Sequence, residues 1–93
     1  MDNLAFSDCT ALSEVQLSRN IIGMYMRVFS RDTSLTEIYI PKSLQWAFQS
    51  FEQSSIRKVY YEGASFNAIN GTATLTAYSD YDLEIETDVP FPY

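Results

Sequence analysis

Five carboxylates occupy alternate positions near the end of this 93-residue chain, at Asp80, Asp82, Glu84, Glu86 and Asp88. Hard cations want several carboxylate oxygens from neighbouring positions, so the run raises calcium binding as a first chemistry. It lacks the glycine that a helix–loop–helix calcium loop requires. On a strand, moreover, side chains at alternate positions step about 7 Å apart, which disperses them too far for one ion. The expectation is a charged outer face that keeps an edge strand from sticking, with no metal site and no cofactor.

Other chemistry is thinly represented. The chain has no histidine and one cysteine, Cys9, so there is no Ser-His or Cys-His pair and no histidine-built zinc site. A single cysteine also forms no intrachain disulfide and leaves the redox compartment open. Gly23, Gly63 and Gly71 lie too far apart for a phosphate-cradling loop.

The elements that would position any site come from a repeat. Residues 35–41, Leu-Thr-Glu-Ile-Tyr-Ile-Pro, follow an apolar-x-x-apolar-x-apolar pattern. The same pattern occurs at Leu12, Val15 and Leu17 and again at Ile56, Val59 and Tyr61, the copies starting 23 and then 21 residues apart. That period is expected of a solenoid. A phenylalanine precedes each copy: Phe6, Phe29 and Phe51.

This pattern resembles the BspA-like leucine-rich-repeat family, whose repeat runs roughly Ala-Phe-x-x-Cys-x-x-Leu-x-x-Val-x-Ile-Pro. The matching residues are Ala5, Phe6, Cys9, Leu12, Val15 and Leu17, then Phe29, Leu35, Ile38, Ile40, Pro41 and Leu44, then Phe51, Ile56, Val59 and Tyr61. The chain departs from the pattern at Ser18, Asp32 and Ser54. The resemblance covers residues 4–78. It implies an α/β, β-rich leucine-rich-repeat solenoid with about three parallel repeat strands near 13–17, 36–40 and 57–61, joined by short convex turns or helices. Residues 1–69 would be repeats and 70–93 a C-terminal cap, the whole forming one domain. Cys9 would be a packed structural thiol.

On such strands the repeat's apolar positions point inward, because successive side chains alternate between faces. Val15, Ile38 and Val59 should form one internal column, Leu17, Ile40 and Tyr61 the next, and Phe6, Phe29 and Phe51 a third on the convex side. After Ile69 the period ends. Asn70-Gly71 reads as a turn, residues 74–78 as a closing strand, and the alternation of Tyr81, Leu83, Ile85 and Val89 with acidic residues as a capping strand or hairpin ended by Pro90 and Pro92.

The side chains between the core positions line the concave sheet. Glu14, Glu37 and Lys58 would make one column there, and Gln16, Tyr39 and Tyr60 its neighbour. Stacked tyrosines beside charges supply amphipathic contact area at low entropy cost, as recognition surfaces require. The plainer alternative is that Tyr39 and Tyr60 brace neighbouring strands. Glu14 beside Glu37 would be a carboxylate pair for glycoside cleavage only within an enclosing pocket. No catalytic residue is assigned.

The formal net charge is −6, but residues 1–79 carry seven acidic and six basic side chains while residues 80–93 carry five acidic and none basic. An acidic chain without a basic patch argues against nucleic acid and anionic membranes. No apolar run approaches the ~18 residues that would span a bilayer, and the start has neither the basic nor the apolar region of a signal peptide. Opening at the Ala-Phe position, the sequence reads as a segment of a longer protein.

The expected function is a non-enzymatic, adhesin-like module that binds a protein or glycan. Two alternatives stand beside it: a stacking and capping unit that self-associates through its N-terminal edge strand at 13–17, and a carbohydrate-active enzyme. By resemblance, the parent protein would lie at a bacterial cell surface or be secreted.

Overall fold

A computed structural model describes residues 17, 19–24, 26, 28–31 and 34–92. Its elements are β1 (Gly23–Met24), β2 (Glu37–Ile40), β3 (Trp46–Ala47), β4 (Lys58–Tyr61), the 3-10 turn η1 (Phe66–Ala68), α1 (Thr72–Ala77) and β5 (Glu84–Glu86). They build two small parallel sheets, ordered β2-β4-β5 and β1-β3.

The register follows the repeat. Glu37, Ile38, Tyr39 and Ile40 stand opposite Lys58, Val59, Tyr60 and Tyr61. Gly23 and Met24 stand opposite Trp46 and Ala47, and a parallel bridge continues this second sheet from Trp46 to Asn70. A third line of contact runs through the turns. The Arg31 N–H donates to the Gln53 carbonyl at 2.7 Å, and the Gln53 N–H donates to the Asp80 carboxylate at 3.2 Å. Arg31 and Gln53 share the left-handed conformation, with φ of 64° and 61°, so the same tight turn occurs twice, two residues after Phe29 and after Phe51.

The core lies between the sheets and these turns. Leu35, Ile38, Ile40, Phe51, Ile56 and Val59 are fully enclosed, and Leu17 and Tyr61 nearly so. Phe29 and Phe51 meet with ring centroids 6.1 Å apart, a favourable tilted spacing for aromatic rings. Ser30, Ser50 and Ser54 are buried but hydrogen-bonded, Ser54 through its hydroxyl to the Phe51 carbonyl at 2.7 Å. These bonds remove the penalty for burying a hydroxyl. Val15, Phe6, Cys9 and the strand expected at 13–17 lie outside the described residues, apart from Leu17.

Two expectations at the C-terminal end are corrected. Residues 74–78 are not a strand, because Thr72–Ala77 forms a short α-helix. Gly71 precedes it in the left-handed region at φ 91°, and the Thr74 hydroxyl donates to the Gly71 carbonyl at 2.6 Å while accepting from the Gln49 N–H at 3.1 Å. Local hydroxyl bonding of this kind, together with Ala and Leu as helix formers, overrides the strand preference of threonine. The alternation was also hollow, since Leu75 is buried whereas Ala73 and Ala77 are exposed.

The acidic tail, secondly, forms the capping strand and not the hairpin. β5 pairs in parallel with β4, setting Lys58, Val59 and Tyr60 opposite Glu84, Ile85 and Glu86. Residues 62–83, which include η1 and α1, carry the chain back to the start of the sheet, and a parallel neighbour needs such a crossover. Two residues beyond the strand, Asp88 takes the left-handed conformation at φ 57°, with its N–H donating to the Gly63 carbonyl at 3.0 Å. The tail then returns to the first described turn. Phe91 is buried there beneath Arg19, whose guanidinium lies 5.1 Å from the ring centroid and donates to the Phe91 carbonyl at 2.8 Å.

Candidate functional site

The outer face of the β2-β4-β5 sheet gathers the residues left over once alternation has buried Ile38, Ile40, Val59 and Tyr61. Parallel register turns them into two rows. Glu37, Lys58 and Glu84 form one, and Tyr39, Tyr60 and Glu86 the other.

Within the second row, Tyr39 and Tyr60 stack with centroids 4.5 Å apart and planes 17° from parallel. Both rings are half-buried. The Lys58 ammonium lies 5.1 Å from the Tyr60 centroid and 3.8 Å from a Glu86 carboxylate oxygen. Its partial desolvation acts to lower the pKa, but the Glu84 and Glu86 carboxylates with Tyr60 outweigh this and hold it above the ordinary lysine value. Ion pairs this exposed contribute little to stability. They fix where the ammonium sits.

Four of the six expected face residues, Glu37, Tyr39, Lys58 and Tyr60, are thus brought together on one surface. Glu14 and Gln16 lie outside the described residues, and so does any pairing of Glu14 with Glu37. Sequence reasoning did not place Glu84 and Glu86 in these rows. Alternation with Leu83 and Ile85 marked both as outward-facing, but only the parallel pairing of β5 sets them beside Lys58 and Tyr60. It likewise missed Arg57, whose guanidinium covers the Tyr81 ring at 4.5 Å and whose carbonyl accepts from the Glu84 N–H at 2.8 Å.

The arrangement offers amphipathic rings, carboxylates and one ammonium on an open sheet. Among the described residues no group of three or more histidine, cysteine or acidic side chains could hold a metal ion, and no helix is long and apolar enough to cross a membrane.

In-register parallel strands repeated at this period define a repeat protein. A family model described as a BspA type leucine rich repeat region (6 copies) matches residues 1–79, and the chain belongs to that family. No curated protein and no solved structure gives a significant match.

Proposed function

We propose that the chain is a non-enzymatic interaction module: a short leucine-rich-repeat solenoid whose concave sheet binds a protein or glycan through Glu37, Tyr39, Lys58 and Tyr60, continued by Glu14 and Gln16 in the preceding repeat. The in-register stack of Tyr39 on Tyr60 carries this reading, because half-buried tyrosines beside charges are suited to contact with a partner. Leucine-rich-repeat proteins are in general not enzymes, and members of this family are typically found at the surface or secreted. An adhesin-like role for a surface protein follows from that setting. Residues 1–69 serve as repeats and 70–93 as the cap of a single domain.

The test is a pulldown from host extracellular matrix comparing the native chain with the Tyr39→Ala, Tyr60→Ala double variant. Capture that disappears in a variant of unchanged circular dichroism supports the reading. Equal capture by both proteins refutes it.

A further inference from the structure

The β2-β4-β5 sheet ends at β5, and among the described residues nothing pairs with its far side. The Glu84 N–H donates to the Arg57 carbonyl, so strand alternation turns the N–H and C=O of Ile85 away from β4, towards that side. The internal column stops there too. Ile38 and Val59 are enclosed, whereas Ile85, next in the same row, is only half-buried. Backbone hydrogen-bonding capacity and apolar surface are therefore left uncovered along one edge.

The flanking charges select what covers it. Glu84 and Glu86 flank Ile85 and are exposed, with Asp82 and Asp88 beyond them. A second β5 laid alongside would set carboxylate against carboxylate, which is unfavourable for directly opposed strand positions. A cation on an adjacent strand is accommodated, as the fold itself shows: Lys58 stands opposite Glu84 and reaches Glu86 at 3.8 Å from the other side.

We propose that β5 is a docking edge for an extended cationic segment of a protein partner, in which Lys or Arg alternates with a β-branched residue. The segment adds as a fourth parallel strand. Its apolar side chain extends the column of Ile38, Val59 and Ile85, its two cations extend the rows of Glu84 and Glu86, and its backbone pairs with Ile85. This is strand addition, in which main-chain bonds supply affinity and alternate side chains supply specificity. The site borders the tyrosine stack, since Glu86 continues the row of Tyr39 and Tyr60.

The probe is an acetylated, amidated peptide Thr-Lys-Val-Lys-Val-Thr, titrated against the isotopically labelled full chain and followed by amide NMR at low salt. Shifts centred on Ile85, slowed exchange of its amide, and binding weakened about tenfold or more by the Glu84→Gln, Glu86→Gln variant are expected. N-methylation of the second lysine keeps the charge but removes the bond to the Ile85 carbonyl, and should weaken binding by about tenfold. Equal binding of the Glu-Val-Glu counterpart, unchanged Ile85 exchange on saturation, or indifference to N-methylation overturns the proposal. So does self-association of the chain alone that protects the Ile85 amide, which would assign the edge to a second copy.

Discussion

Trp46 lies against Gly23 of the preceding repeat so closely that a Cβ added to Gly23 would fall 2.0 Å from the indole Cε2. The two residues are register partners in the β1-β3 sheet, and Gly23 is itself buried. The indole fills the space that a side chain would occupy. Gly23→Ala must therefore displace the ring or open the strands, a form of overpacking that costs about 1–3 kcal/mol. Trp46 is the single tryptophan, so its emission reports the displacement directly. A red shift together with a lower urea midpoint is expected. An unchanged midpoint would show that the ring relocates without cost.

Phe51 is fully enclosed and packs on Phe29 across successive repeats. Phe51→Ala should cost about 3–5 kcal/mol. That is a large share of the stability available to a domain of this size, at roughly 0.05–0.15 kcal/mol per residue. Chemical denaturation should show a much lower urea midpoint for the variant. Phe51→Leu, which keeps most of the volume, should remain folded with a smaller loss.

Burial holds the Tyr61 phenol above its ordinary pKa, and Glu62 adds to the effect. Lys58 is raised as well, though exposure makes its contribution small. With folded-state values above unfolded ones, the unfolded chain releases these protons first as pH rises. Stability is therefore fully present below about pH 9.5 and declines through pH 10 and above. Urea midpoints at pH 7, 9 and 10.5 should be level between the first two and fall at the third. Tyr61→Phe should reduce that fall, and an identical fall in the variant would exclude Tyr61 as its source.

The repeat positions were the legible part of this fold. Leu35, Ile38, Ile40, Ile56, Val59 and Tyr61 announce their burial through spacing, and the placement of Glu37, Tyr39, Lys58 and Tyr60 on the opposite face follows from strand alternation alone. The β1-β3 sheet was not legible, since two-residue strands contain no period to detect. Nor was the turn at Arg31 and Gln53, whose left-handed residues carry no glycine to mark them. Residues 72–77 misled because Thr and Ala alternate there without the apolar face that alternation normally signals. The tail's alternation holds for Leu83, Ile85 and Val89, which are half-buried, but not for Tyr81, which is exposed, and its direction depended on a crossover through residues 62–83 that no local pattern encodes.

Removing the Phe91 ring should be costly despite its place near the chain end. The ring is 5% exposed, and Phe91→Ala should lose about 3 kcal/mol or more by removing a buried aromatic. Arg19→Ala should cost much less, because the guanidinium is largely solvated and its pairing with Glu62 at 3.8 Å is a surface one. Thermal melts of the two variants should rank in that order, and a reversed ranking would place the anchor in the hydrogen bond rather than in the ring.

The grip of Arg19 on Phe91 joins residues 72 positions apart, and this changes how the molecule comes undone. Repeat proteins whose units touch only their neighbours unravel progressively from an end, like a one-dimensional chain of coupled units. Here the tail is buckled to the first described turn, so the segment around Phe91 does not peel away without disturbing Arg19. Closing so long a loop slows folding, but once the loop is closed the two segments it joins share one fate. Unfolding should register as a single sharp transition, and only severing the buckle should restore the graded melting of an ordinary repeat array.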